Sequence, residues 1–481
     1  MASAASGEPA PAKEGASPAD TEDSTLTPSE VEEGVEESKA ESEEEDTWIE
    51  ESIKDVKVAT IGNVDSGKST LVGVLTKGLL DDGRGLARSR VFNFTHEAQN
   101  GRTSSVAQEI MGFNEQGELV NADRPGAVTA ASRNASWQHV MSQSQRLITF
   151  IDLCGHEKYL KTTIFGLIGL CPDYAMIIVN ANAGFQRMSR EHLGIALALR
   201  IPFLFIVTKI DIAPANVFEE NMRMLHNIVK SKAVRRQPML LSGETDLAAA
   251  TEGLVADRVC PILQISSLTG EGLPLLRAFL QRLPSRLRDS GLFRPPSAPA
   301  EFHIDSIFNV NGVGLVVAGL VKAGRIHQNQ QLLLGPDKTG QFKPVLVKTI
   351  HYKRVLCEAV ESGQHSAIAL RSLVKRDTLK KTSFRKGMVL VDAAAQPQAT
   401  KEFKAEVVIL HHATTIRTNY QAVIHCGIIR QCAAVKHMSA DLLQNGDKAT
   451  VTFRFMYHGE FLRLGMPLLF REGRTKGLGR I

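Results

Sequence analysis

Eight consecutive residues, Gly62-Asn63-Val64-Asp65-Ser66-Gly67-Lys68-Ser69, constrain this chain more than any other stretch. Residues 56–61 before them read as a buried strand, and residues 69–75 after them as a helix. A strand that breaks at glycine and restarts as a helix leaves a loop of exposed N–H groups at a helix N-terminus, which attracts anions. The spacing G-x-x-x-x-G-K-S/T in that setting predicts a phosphate-binding loop. Gly62 and Gly67 let the backbone wrap the phosphates, and Asn63, Val64, Asp65, Ser66 and Thr70 complete the cradle. Lys68 is placed to reach the β- and γ-phosphates and Ser69 to ligate Mg²⁺.

Further buried-strand runs at 147–153, 174–179 and 202–207 alternate with helical segments. Repeated strand–helix alternation predicts a parallel α/β sheet, which the pattern carries over residues 53–290. A Pro-rich linker at 289–300 follows, and the texture changes. Short Val, Ile, Leu and Phe runs punctuated by Gly predict two all-β barrels, at 301–393 and 401–481.

Two of the predicted strands end on chemistry. Asp152-Leu153-Cys154-Gly155 closes the 147–153 run. A carboxylate there can hold Mg²⁺ through water, and the Gly155 N–H can sense a γ-phosphate. Thr208-Lys209-Ile210-Asp211 closes the 202–207 run. Asp211 is placed to accept two hydrogen bonds from guanine N1 and N2, which adenine cannot supply, and a carboxylate left unpaired in its place discriminates strongly. Lys209 lays its stem along the base, while Ser266-Ser267-Leu268 fits a loop supporting guanine O6. These elements fall in the order expected of a GTPase.

The chain resembles the translational GTPases, the group of elongation factor Tu and elongation factor 1-alpha, and within it the subfamily of GTP-binding proteins 1 and 2. The marks are residues 62–76, Asp82-Gly83-Arg84-Gly85-Leu86-Ala87-Arg88, Gly101-Arg102-Thr103-Ser104-Ser105, the run 152–163 from Asp152 to Thr163, and the closing 471–479. The resemblance covers roughly 54–481. It implies a GTP-binding domain followed by two β-barrels, with GTP and Mg²⁺ as ligands. By the same resemblance, His156 is the catalytic histidine that orients the attacking water, and Thr103 is the Mg²⁺ ligand of switch I beside Ser69 and Asp152. Asp65 aligns with an aspartate that helps hold a monovalent cation near the β–γ bridge. Elongation factors carry an apolar residue before the switch I threonine, one half of a hydrophobic gate completed by a valine. Here Val64 is present but Arg102 stands opposite, which predicts an open or differently built gate. Residues 77–146 read as switch I plus a polar insertion.

Charge sets the expected partners. Residues 1–51 carry 17 acidic residues and two lysines, a net −15, and the rest of the chain carries +19. Residues 1–52, rich in Ala, Ser, Pro and Glu, cannot bury enough apolar surface to offset chain entropy and read as a disordered acidic tail. A body this basic suggests a polyanionic partner such as RNA. The resemblance makes that partner tRNA or aminoacyl-tRNA on the ribosome, in elongation or in rescue of stalled ribosomes. Candidate contacts are Arg84, Arg88, Arg90, Arg102, Arg124, Arg133 and Arg146, with Lys343, Lys348, Lys353 and Arg354 further on. Arg463, Arg471, Arg474 and Lys476 near the end complete the set. Two rival readings are a GTP-dependent adaptor recruiting RNA-decay or rescue machinery, and a factor that carries a protein rather than aminoacyl-tRNA. No run of about 18 apolar residues exists, so no membrane helix is expected. No secretion signal is read, and the six cysteines are scattered without CxxC pairs, which suggests a reducing, cytoplasmic setting.

Overall fold

The computed structural model describes residues 55–120, 130–287, 290–374, 379–472 and 475–481, without the side chains of 130–134, 383, 475 and 476. The acidic tail, Arg124 and Arg474 lie outside the described residues, as do the side chains of Arg133 and Lys476.

The first unit alternates as its sequence predicts. Its elements are β1 Asp55–Gly62, α1 Lys68–Lys77, α2 Leu86–Ser89, α3 Thr95–Asn100, β2 Ala107–Phe113, β3 Leu119–Val120, α4 Ala130–Gln143 and β4 Arg146–Asp152. There follow α5 Leu160–Leu170, β5 Tyr174–Asn180, α6 Arg187–Ala198, β6 Phe203–Thr208, α7 Ala215–Lys230, β7 Gln237–Leu240, α8 Leu247–Val255, β8 Val259–Gln264 and α9 Leu273–Arg282. Among the described residues these strands form one sheet in the order β3-β2-β4-β1-β5-β6-β8-β7. From β4 to β7 the pairing is parallel, whereas β2 runs antiparallel to β4 and β3 antiparallel to β2.

Successive side chains of β1 feed opposite faces, as a period of two requires. Val56 and Val58 pack with Leu71 and Leu75 of α1 and with Leu276, Phe279 and Leu280 of α9. Ala59 and Ile61 pack with Ile164 and Leu167 of α5, Leu193 of α6 and Val229 of α7. Both faces are covered, so the parallel strands read as unbroken apolar runs. The described residues of 77–146 carry more regular structure than the polar texture suggests, and β2 and β3 widen the sheet. The Gln108-Glu109 pair interrupts the apolar pattern of β2, yet Glu109 is buried and held by Lys77 at 3.2 Å.

The second unit has β9 Glu301–Val310, β10 Gly314–Ala323, β11 Arg325–His327, β12 Gln331–Gly335, β13 Lys343–Tyr352, β14 Val355–Cys357, β15 Ala359–Glu361, β16 His365–Ser372 and β17 Val389–Val391. The order β12-β17-β9-β10-β16-β13-β14 closes on itself through a further β12–β13 pairing, with β14 outside the ring. After a short β18 (Ala399–Thr400) come β19 Glu402–His411, β20 Gln421–Cys426, β21 Ile429–Met438, β22 Lys448–Phe455, β23 Glu460–Phe461, β24 Pro467–Glu472 and β25 Thr475–Arg480. Of these, β19-β22-β21-β20-β24-β25 form a second closed barrel.

Charged residues join the three units. Between the barrels, buried Glu301 binds His303 at 2.7 Å, Arg294 at 2.8 Å and Arg463. Burial pushes the Glu301 carboxyl up, but these partners more than offset it and bring it down to about 2. Glu460 meets Arg385 at 2.6 Å and Gln431 at 2.7 Å. Here burial wins over the Arg385 charge, and the carboxyl is raised to about 7. Between the sheet unit and the first barrel, Lys353 sits 3.0 Å from Asp55, which also accepts from the Tyr352 hydroxyl at 3.1 Å. Lys57 donates to the Gly363 carbonyl across the same seam. Helix α5 faces the second barrel. A β-carbon on Gly169 would meet Ile428, and Lys386 of the first barrel lies 5.1 Å from the Phe165 ring.

Several basic residues expected to face RNA are thereby accounted for inside the molecule. Lys353 is buried against Asp55, Arg463 is bound to Glu301, Arg471 lies 4.0 Å from Glu191, and Arg146 donates to the Leu283 carbonyl. A charged side chain reads alike in sequence whether its partner is a phosphate or a carboxylate on another domain. Among the described residues no helix is long and apolar enough to cross a membrane.

Candidate nucleotide-binding site

All four predicted motifs emerge from the C-terminal ends of the parallel strands, where ligands of open α/β sheets bind. The loop 62–67 leaves β1, 152–155 leaves β4, 208–211 leaves β6 and 266–268 leaves β8. Strand order places the 62–67 and 152–155 loops on neighbouring strands, and likewise the 208–211 and 266–268 loops.

The phosphate loop needs unusual backbone. Gly62 has φ 143°, Asp65 58° and Gly67 90°. A β-carbon on Gly62 would lie 2.4 Å from the Ile178 carbonyl oxygen, so glycine is required there twice over. Lys68 is buried at the start of α1, and its ammonium donates to the Asn63 carbonyl at 2.5 Å. Burial lowers the Lys68 pKa, against the opposing charge of Asp152. Ser66 Oγ donates to the Asn63 carbonyl at 2.9 Å. Thr70 follows Ser69 on the first turn of α1 and is half-buried.

Three oxygen side chains from distant segments converge beside Lys68. Ser69 Oγ donates to Asp152 Oδ2 at 2.6 Å and lies 2.7 Å from Thr103 Oγ1. Thr103 Oγ1 is 3.4 Å from the same carboxylate oxygen. Thr60 holds the other oxygen, Oδ1, at 2.9 Å. Burial raises the Asp152 pKa, opposed by Ser69 and Lys68. Two hydroxyls and a carboxylate oxygen form the hard donor set that a small divalent cation takes, so these residues fit Mg²⁺. Gly155 closes against the loop, and a β-carbon on it would lie 2.5 Å from Lys68 Nζ and 2.7 Å from the Asn63 oxygen.

His156 is exposed and opens a short 3₁₀ turn, where its Nδ1 accepts from the Lys158 N–H at 3.1 Å. It lines a cavity of about 390 Å³ with Asn63, Val64, Asp65 and Arg102. In the position where the resemblance expects an apolar gate residue, Arg102 reaches Asp65 at 3.7 Å.

The base-reading segments lie to the other side. Thr208 Oγ1 donates to the Ser66 carbonyl at 2.7 Å and so ties this loop to the phosphate loop. Lys209 is half-buried with φ 60°, and Asp211 is exposed. Ser266 Oγ accepts from the Leu268 and Thr269 N–H groups at 3.2 and 3.1 Å. The Ser267 carbonyl accepts from the Asp81 N–H at 3.0 Å, and Leu268 is exposed.

Two structural supports were missed in the sequence. His192 of α6 is fully buried, and its Nδ1 accepts from the Gly62 N–H at 3.0 Å. Burial, with Lys68 nearby, lowers its pKa to about 3, so the ring stays neutral. Glu97 of α3 is buried and gathers the segment ahead of Thr103. It accepts from the backbone N–H groups of Ser104 at 2.7 Å, Ser105 at 2.9 Å, Asn93 at 3.1 Å and Phe94 at 3.3 Å. Burial alone would raise the Glu97 pKa, but these bonds hold it below its ordinary value. Neither residue belongs to a motif. The one cue was Glu97 three residues after the position that precedes α3, half of a capping box.

Residues 54–285 match the elongation factor Tu GTP binding domain. The chain is 47% identical to GTP-binding protein 1 of Xenopus laevis over 428 residues, which is 89% of this chain and 63% of that protein. It is 43% identical to human GTP-binding protein 2 over 429 residues, 89% of this chain and 69% of that one. The fold is shared with translation elongation factor SelB from Methanococcus maripaludis, solved with the GTP analogue GppNHp. That likeness has a TM-score of 0.61 and 16% identity, and covers 89% of this chain and 79% of that one. Fold and site together define a P-loop protein of the translation-factor GTPase class. Within that class the chain belongs to the family of GTP-binding proteins 1 and 2. It spans somewhat less than two thirds of the length of the Xenopus relative.

Proposed function

We propose that the chain is a GTP-hydrolysing switch that binds tRNA and acts at the ribosome. The observation that carries this reading is the convergence of Ser69, Thr103 and Asp152 beside Lys68. It joins phosphate loop, switch I and the strand-end aspartate in one oxygen cluster, the arrangement that a γ-phosphate orders in GTPase switches.

In this reading residues 53–290 are the GTP-binding domain and 301–393 and 401–481 the two barrels. Gly62 to Thr70 cradle the phosphates, with Lys68 on the β- and γ-groups. Thr208, Lys209 and Asp211 read guanine, and Ser266, Ser267 and Leu268 support its O6. Ser69, Thr103 and Asp152 hold Mg²⁺, which when bound neutralises charge on the β- and γ-oxygens. Gly155 senses the γ-phosphate through its N–H. His156 orients the attacking water. The water oxygen bonds to the γ-phosphorus while the bond to the bridging oxygen breaks, and its electron pair leaves with GDP. The displaced water proton passes to solvent, giving GDP and inorganic phosphate.

GTP orders the segment around Thr103 and favours the RNA-bound state, and hydrolysis reverses both. The net +19 of residues 52–481 supports a polyanionic ligand. The test is GTP hydrolysis by the purified chain, alone, with ribosomes, and with ribosomes plus aminoacyl-tRNA, beside His156→Ala. The expected result is at least a tenfold ribosomal acceleration, about 1.4 kcal/mol of barrier, that the variant abolishes. Tight GTP binding with no response to ribosomes would instead support a nucleotide-dependent adaptor.

A further inference from the structure

The cavity beside the phosphate loop is lined by a cationic side chain that the nucleotide site as described does not use. Val64, Asp65, His156 and Ser189 all line it, and Arg102 is the sole lysine or arginine among its lining residues. The Arg102 guanidinium lies 3.7 Å from the Asp65 carboxylate, with the two side chains 55% and 60% exposed. An ion pair this exposed and this long contributes little, so Asp65 parks the guanidinium without trapping it. The backbone that carries Arg102 is nevertheless fixed. Thr103, the next residue, is tied to Ser69 at 2.7 Å, and Ser104 and Ser105 are tied to buried Glu97. A mobile guanidinium on an anchored stem therefore opens onto the same space as His156.

We propose that Arg102 supplies, from within the chain, the positive charge that GTP hydrolysis requires at the β–γ bridge, with Asp65 as its resting partner. The inference rests on the GTPase reading of this site and adds a source of charge to it. As the bond to the bridging oxygen breaks, negative charge builds on the departing GDP and on the γ-oxygens, and a positioned cation stabilises it. The planar guanidinium matches phosphate oxygens in pairs, and phosphate competes well against one solvated carboxylate. A carboxylate at Asp65 can hold either a small monovalent cation or a guanidinium, and the ion pair puts the guanidinium there. Hydrolysis should then be indifferent to the monovalent salt.

The full chain is tested with fluorescent mant-GDP, Mg²⁺ and aluminium fluoride, which mimics the transferring phosphoryl group, in potassium chloride and in choline chloride. The wild type is expected to form the fluoroaluminate complex in both salts without ribosomes. Arg102→Ala should fail to form it in choline while binding mant-GTP within about threefold of wild type, and Arg102→Lys should recover part of the signal. Single-turnover hydrolysis should fall at least about 100-fold in Arg102→Ala, less than the 10³–10⁵ of a sequestered arginine finger because this one is half exposed. A complex in Arg102→Ala equal to wild type overturns the proposal. So does a wild-type complex that needs potassium or ribosomes, since the charge would then come from outside the chain. If the wild type fails to bind mant-GTP at all, the GTPase reading falls and this proposal falls with it.

Discussion

Replacing Glu97 with Gln tests whether the segment bearing Arg102 and Thr103 is braced by one buried carboxylate. In the native chain Oε1 accepts from the Ser104 and Ser105 N–H groups and their hydroxyls, and Oε2 from the Asn93 and Phe94 N–H groups. A glutamine keeps one acceptor oxygen. Its better orientation retains the shorter bonds to Ser104 and Ser105 and turns an NH₂ toward Asn93 and Phe94, where donor meets donor. A hydrogen bond to a charged group is worth about 1.5–3 kcal/mol net. The two lost bonds, at 3.1 and 3.3 Å, are long and fall at or below the low end of that range. The brace should therefore weaken by about 2–3 kcal/mol, which is a ~30–150-fold rise in local opening. Hydrogen–deuterium exchange at residues 93–105 measures this directly, and amides in β1 and β5 serve as internal controls. Because Glu97 is the one buried residue of 93–105, the global melting temperature should move little. Acceleration below about threefold at 93–105, or equal acceleration in β1, would refute the idea that Glu97 sets the local stability of this segment.

Two further outcomes follow from the geometry. Gly155→Ala should abolish GTP binding while leaving the protein folded, since its methyl would lie 2.5 Å from Lys68 Nζ and 2.7 Å from the Asn63 oxygen; titration with mant-GTP beside circular dichroism checks both halves. Glu301, lowered from 4.5 to about 2, contributes stability that is fully present above pH 4.5 and is lost as pH falls from there toward 2. The linked stabilisation is about 3 kcal/mol. Glu301→Gln should flatten the dependence of unfolding free energy on pH in that window, and an unchanged slope would show that the inter-barrel ion cluster is not responsible.

The site was legible in sequence wherever its chemistry is local. Gly62 to Ser69, Asp152 with Gly155, and Thr208 to Asp211 are short runs whose spacing encodes a strand end and a turn, and the structure puts each at such an end. Strand–helix alternation likewise foretold the parallel sheet, and short apolar runs punctuated by Gly foretold the two barrels. Partnership across distance was not legible. Nothing near His192 in sequence points to the Gly62 N–H, 130 residues earlier, and Glu97 looks like any helix-start acid until its four backbone donors are seen. The same blindness sent Lys353, Arg146 and Arg463 to RNA, because a formal charge carries no address. Arg102 was legible as a departure from an apolar position, but its partner Asp65 was not.

The antiparallel pair β2 and β4 has its upper end at Ala107 opposite Asp152 and its lower end at Phe113 opposite Arg146. Thr103 enters this pair at its Ala107 end, and the turn at 114–118 leaves it at the other, toward β3. Seven rungs of ladder thus separate the oxygen cluster from that turn. The exposed turn at 115–117 can lengthen, shorten or accept a tag without altering the distance from Thr103 to Asp152, because the register of β2 on β4 is set by the ladder and by buried Ile110, Met111, Ile148 and Phe150. The hairpin works as a spacer, decoupling a segment free to vary from the one place in the domain where tenths of an ångström matter.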